Sequence, residues 1–338
     1  NKSSVVAAWI LAFLVLFALV SPLLSPYSIN DKDKLYINYP SYVPSIAKLH
    51  IGIMDGGKVH SSQNETSMNY WKGIAQETGM DPVLGVVKEN VSTVKYRGQM
   101  VERKTYDLNV NRYFELGIVY RVFSYAEFQR IQDWQDETGI QVIYPYVDPA
   151  DIGGSADTPN IWYQVDGSGS AILDADGNLQ PVYCTNKALE GAEYNSLRIA
   201  GDDGSYIYSA KKSGSVQARV CYYNYYQYLN GHEPSYVFGT TAMGQDLFAA
   251  VGVGARFSLI FALFVSAINL TIGAIYGAIQ GYYGGRIDLF MDRISDILSG
   301  LPFVVVITLF QLHLAQKWGV VPSLLFAFVL TGWISMAA

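Results

Sequence analysis

The chain has 338 residues, half of them hydrophobic, and a formal net charge of −6 at pH 7. That balance offers no basic face for nucleic acid, which argues against a DNA or RNA partner. Of the 52 charged residues, 43 lie between Asp31 and Glu233, where 18 basic side chains stand against 25 acidic ones. The two ends share the remaining nine, and such segregation marks membrane segments on either side of a polar block.

From Val5 to Leu24 the sequence carries no charge for about 20 residues, the length a helix needs to cross a hydrocarbon core of roughly 30 Å. A cleaved signal peptide is the rival reading. The run is too long for its apolar region, and Pro22 and Pro26 stand where small cleavage-site residues belong. The chain opens on Asn1 and stops at Ala338 inside an apolar run, so it is expected to be a fragment.

The organisation expected is a first transmembrane helix over 1–30, a mixed α/β domain over 31–235 and a membrane core over 236–338. In the polar block, Ser124-Tyr-Ala-Glu127 reads as a capping box, each side chain satisfying the other's free backbone N–H, with the helix running to Thr138 and stopping at Gly139. A second helix is expected over Met68–Thr78, ending at Gly79. Strand-like runs cover Val83–Val94, Ile140–Val147, Ile161–Val165, Val182–Thr185 and Val216–Tyr228.

Both cysteines, Cys184 and Cys221, lie in this block and form a candidate disulfide in an oxidising space outside the membrane; two free core thiols are the alternative. Asp174-Ala-Asp-Gly-Asn178 begins like a calcium loop, but Leu179 stands where a Gly is needed and Thr185 where a bidentate Glu is needed. A hairpin turn around Asp176-Gly177 fits better. The four histidines show no metal-ligand spacing, and no nucleophile–base set or phosphate-cradling loop appears, so neither a metal site nor a catalytic residue is expected. Tyr222, Tyr223, Tyr225, Tyr226 and Tyr228 suit a headgroup belt, a half-buried strand or a protein contact equally.

A second uncharged stretch runs from Phe257 to about Ile279, followed by a turn over Gln280–Gly285. Gly273, Gly277 and Gly281 recur every four residues and share one face, bare enough for another helix backbone to approach closely; a lipid-facing helix is the alternative. A third span is expected from Ile287 to about Leu312, kinked at Pro302, and a fourth from Val320 to Ala338. Asp288, Asp292 and Asp296 fall on one face of the third. Carboxylates there should either lie at the aqueous interface or pair with a cation on a neighbouring helix. Basic residues near the spans give almost no orientation, with Lys2, Arg286 and Arg293 set against Lys32, Lys34, Arg256 and Lys317.

Phe238-Gly-Thr-Thr-Ala-Met-Gly-Gln-Asp-Leu-Phe248 and Gly254-Ala-Arg-Phe-Ser-Leu259 resemble the G-T-D-x-x-G-R-D and G-A-R-x-S-L segments of C-type permeases in oligopeptide and dipeptide ABC importers. Within them the matching residues are Gly239, Thr240, Gly244, Asp246, Gly254 and Arg256. Further landmarks follow in the family's order: Gly281, Tyr282, Gly284, Gly285 and Asp288, then Asp296 and Pro302, then Thr331-Gly-Trp333. Thr241 and Gln245 depart from the family's acidic and Arg positions, so any charge-mediated contact made there is expected to be absent or replaced by neutral hydrogen bonds. The resemblance covers about 100 residues and leaves 31–235 outside it.

What the resemblance implies is an α-helical polytopic membrane protein of the type I importer fold, with its first four helices present and a mixed α/β extracytoplasmic domain inserted after the first. It implies a non-enzymatic, multi-pass subunit of the plasma or inner membrane. Its partners would be a homologous permease, two cytoplasmic ATPases that bind ATP and Mg, and an external peptide-binding lipoprotein; no cofactor is expected on this subunit. The ATPase-coupling loop of the family would lie beyond residue 338. A membrane-anchored receptor or sensor with an external ligand-binding domain is the alternative, and a polytopic membrane enzyme a further one.

Overall fold

The computed structural model describes residues 2–148, 150, 160–167, 170–183, 199–200 and 206–333. In chain order the elements are α1 (Lys2–Leu24), α2 (Pro44–Ala47), β1 (Gly57–Gln63), α3 (Glu65–Thr78), β2 (Val83–Tyr96), β3 (Gln99–Asn111), α4 (Arg112–Glu115), β4 (Ile118–Phe123) and α5 (Tyr125–Thr138). They continue as β5 (Ile143–Tyr144), β6 (Ile199–Ala200), β7 (Tyr206–Ile207), β8 (Ala210–Lys212), β9 (Ser215–Cys221) and α6 (Tyr222–Asn230). The last are α7 (Leu247–Tyr283), α8 (Gly285–Ser299), α9 (Phe303–His313), α10 (Ala315–Trp318) and α11 (Val320–Gly332). The chain divides into two compact units, one of Asn1–Ser28 with Ala249–Ala338 and one of Ile29–Phe248. Residues 236–248, read with the membrane core in the sequence, pack in the second unit.

The second unit is α/β. β1, β3 and β2 form an antiparallel sheet in that order, and β9 is flanked by β4 on one path and by β5 and β8 on the other. Ser124 caps α5 by accepting from the Glu127 N–H, and Gly139 closes it in the left-handed conformation. The reciprocal half of the box is not made, because the Glu127 carboxylate takes Arg130 and the Tyr228 hydroxyl. α3 starts one turn earlier than expected, where Asn64 accepts from Ser67, and ends at Gly79. Phe128 and Ile131 of α5 pack on Val216, Ala218 and Val220 of β9, while Trp71 and Ile74 of α3 cover Leu108 and Val110 of β3.

The run Val216–Tyr228 is not one strand. It turns at Cys221, and the tyrosines continue as α6, which buries Tyr222, Tyr223 and Tyr226. Spacings of three and four put these rings on one side of a helix, whereas a strand would alternate them. Tyr36, fully buried, sits at the centre with ring centroids 5.0–5.5 Å from those of Tyr39, Tyr113, Tyr222 and Tyr226. The tyrosines are therefore core of this unit. The Asp174–Asn178 segment is a hairpin turn: Leu173 bridges Leu179, Gly177 has φ +81°, and the Asp174 carboxylate accepts from the N–H groups of Asp176 and Asn178. Those backbone donors hold the Asp174 carboxyl below its ordinary range.

In the first unit, two helices among the described residues are long and apolar enough to cross a membrane, α1 and α7. α8 and α9 pass that test only together, bent by 73°, and α11 is a shorter apolar helix of 13 residues. Four spans were expected, the third kinked at Pro302; among the described residues the count is two, or three if the bent pair is one span. The break has a local cause: α8 closes at Gly300, and Pro302, which has no N–H to donate, is the N-cap of α9.

Candidate functional site

The segment 238–248 is a loop built on two left-handed glycines. Gly239 (φ +79°) lies against the backbone of Tyr39 and Pro40, and Gly244 (φ +72°) against that of Asp33; a Cβ at either would overlap a carbonyl oxygen. Main-chain bonds run from Asp33 N to Gly244 O at 2.9 Å, Asn38 N to Thr241 O at 3.1 Å and Thr240 N to Tyr39 O at 3.0 Å. The buried Thr240 hydroxyl accepts from Tyr39 N at 2.9 Å. Buried Asp246 bridges to Thr240 and accepts from Phe248 N, covering a free donor where α7 begins. The motif thus clamps residues 33–40 and starts the long helix.

The two departures from the family pattern are filled by neutral bonds. Gln245 donates to Ile29 O at 2.6 Å, and the Thr241 hydroxyl accepts from Met243 and Gln245 N–H groups. Within the first unit, Arg256 donates to Leu19 O of α1 at 3.0 Å, and Gly252 lies against Ser21 and Pro22 of the same helix. A side chain at 252 would collide with Ser21. Sequence reading missed this glycine, whose signal is spacing: it stands four residues before Arg256 on one helix face. Gly254 faces open space.

Of the glycine stripe, Gly273 is buried, Gly277 half-buried and Gly281 exposed, with nothing near a Cβ at 281. The buried end is covered by this chain. Asn269, one turn earlier, is also buried; it donates to Phe328 O of α11, and Gly332 packs against its carboxamide. Further along α7, the Tyr276 hydroxyl donates to Met291 O of α8. α7 continues through Gly281, exposed Tyr282 and Tyr283, so the turn is confined to Gly284 and Gly285, both at positive φ.

Among the described residues the three aspartates do not meet a cation from another helix. Asp296 pairs with Arg293 of its own helix at 3.4 Å, both side chains exposed, Asp292 accepts from Gln280 of α7 at 3.5 Å, and Asp288 stands in the first turn of α8, where a carboxylate suits the helix dipole. In the second unit Cys221 is a free, fully buried thiol, pushed by burial up to about 12, while Cys184 lies outside the described residues. The sequence reading also missed a buried ion pair. Arg219, completely buried, makes a bidentate contact with Glu77 at 2.9 and 2.7 Å and donates to Pro145 O at 2.6 Å. A charged residue at the centre of an otherwise alternating strand was its only sequence signal.

The residues brought together are those of a buried clamp and a helix bundle, with apolar surface on α1 and α7. Residues 1–41 match the family described as the N-terminal TM domain of oligopeptide transport permease C. The chain is 40% identical over 100 residues to the dipeptide transport system permease protein DppC of Bacillus subtilis (strain 168), covering 30% of each protein. It is 42% identical over 102 residues to the dipeptide transport system permease protein DppC of Lactococcus lactis subsp. cremoris (strain MG1363), 30% of this chain and 29% of that one. It is 37% identical over 112 residues to the oligopeptide transport system permease protein OppC of Bacillus subtilis (strain 168), 32% and 36%. The chain thus spans about a third of the length of these curated relatives. No solved structure matches it. By these matches the chain is a membrane protein related to the C-type permease subunits of the oligopeptide and dipeptide ABC transporters.

Proposed function

We propose that the chain is the membrane-spanning C-type subunit of an ATP-driven importer that moves oligopeptides by alternating access. The observation that carries this reading is the run of family residues from Gly239 to Arg256. Of these, Gly239, Thr240, Gly244 and Asp246 build the loop that leads into a 37-residue helix long and apolar enough to span, and Arg256 lies on that helix. The subunit does no covalent chemistry. Its part is mechanical: α7 and the bent α8–α9 pair shift as packed bodies when a partner pulls on them, and cargo crosses where the helices part.

The assembly consists of a homologous permease partner, two cytoplasmic ATPases holding ATP and Mg, and an external peptide-binding lipoprotein, all in the plasma or inner membrane. The exposed Gly281 end of the glycine stripe is left for the permease partner. Residues 31–235 form an inserted domain on the extracytoplasmic side, and no cofactor binds this subunit. Purification of the protein with its neighbours tests the reading. ATPases that co-purify and turn over faster with binding protein and peptides are expected; a preparation without ATPases, or one indifferent to peptide, overturns it.

A further inference from the structure

A cavity of about 630 Å³ opens within residues 29–248, a volume in the range of small-ligand sites. One wall is apolar, from Met80, Leu84, Ile140 and the Phe114 ring. The lining also carries charge: the Glu233 carboxylate accepts from the Tyr223 hydroxyl at 3.1 Å and stands 3.6 Å from the exposed Lys48 ammonium. The Tyr223 hydroxyl is also 3.0 Å from that of Tyr42, so the acid is held from behind by two phenols in series. Also in the lining, Asp55 accepts from Gly57 N with one oxygen, and His50 has a left-handed backbone, φ +52°. Such strain in a non-glycine residue is held by its surroundings and gathers where ligands bind.

Asn109 and Asn111 complete the lining from one face of β3. Asn111 is 2% exposed; its Oδ1 accepts from Tyr113 and Phe114 N–H groups, which leaves its amide hydrogens without a protein acceptor among the described residues. That amide is not sealed from solvent, and as part of the lining it is available to a group entering the cavity. Residues two apart on a strand are separated by about 6.8 Å, which is also the repeat of an extended peptide main chain. Two carboxamides at that spacing can therefore pair with alternate main-chain peptide groups, two residues apart, of a peptide lying along them.

The geometry points to a peptide-binding site in this chain itself: a short peptide with a free N-terminus, its ammonium at Glu233 and Asp55, its main chain on Asn109 and Asn111, and an apolar side chain against Leu84 and Met80. A neutral sugar would leave the charges unused and set hydroxyls against the apolar wall. The choice of peptide rests in part on the proposed transport function; the cavity and its donors do not.

Calorimetric titration of the full chain in lipid nanodiscs with trileucine tests it, with N-acetyl-trileucine as the paired probe. Saturable binding of one trileucine per chain is expected, weakened at least about tenfold by N-acetylation, because a hydrogen bond to a charged group is lost. Glu233→Gln is expected to weaken it similarly, and Leu84→Trp, in the apolar part of the lining, to abolish it. Absence of saturable binding, or equal binding of the acetylated peptide, overturns the proposal without any variant. If neither peptide binds while peptide still stimulates the assembled ATPase, the pocket proposal fails alone; if trileucine binds but no ATPase associates, the transport reading fails instead.

Discussion

Arg219 and Glu77 show how single residues decide the folded interior. Both side chains are at most a tenth exposed, and burial pushes the Glu77 carboxyl above its ordinary range against the pull of the guanidinium. A buried pair of this kind adds little over well-packed apolar residues, but removing one partner strands the other charge. Arg219→Met is therefore expected to destabilise the protein by about 3–5 kcal/mol in chemical denaturation, and the double change with Glu77→Met to recover most of that loss. A double variant no more stable than the single one would refute this account of the pair. The pairing was invisible in the sequence because 142 residues separate its members.

Among the elements, α6 is the clearest case of tertiary context choosing between readings. Its tyrosines form part of a box of phenol rings around Tyr36, and burial raises the hydroxyls of Tyr36, Tyr222 and Tyr223 well above their ordinary range. Tyr39 and Tyr42 are pushed up to about 12, again by burial. A folded value raised above the unfolded one gives stability that is complete below the unfolded value near 10 and is lost as pH rises through the folded one. Alkaline unfolding should therefore begin above about pH 10, with tyrosinate absorbance and loss of circular dichroism rising together between pH 10 and 12 and beyond. Tyrosinate that appears near pH 10 without unfolding would mean the box is open to water. α3 and α5, by contrast, were legible almost to the residue at their C-terminal ends, because Gly79 and Gly139 stop them through local geometry alone.

At the scale of the whole chain, the helices long and apolar enough to cross a membrane among the described residues are α1 and α7. Leu263 and Phe264 of α7 are 71% and 63% exposed, which in water would be a large cost and in lipid none. A photoactivated lipid probe in nanodiscs is expected to label 247–283 heavily and the β2–β3 hairpin, 83–111, hardly at all; equal labelling would remove the membrane assignment. Sequence by itself determined the apolar ends, the polar α/β middle, the helix stops and the family residues, since each depends on composition or on spacing within a few positions. Only the tertiary structure decided that the G-T-T-x-x-G-Q-D loop packs with the middle unit, that Arg219 meets Glu77 and that Asn109, Asn111 and Glu233 meet at one cavity. Each of those depends on groups far apart in the chain meeting in space, and no local pattern encodes such a meeting.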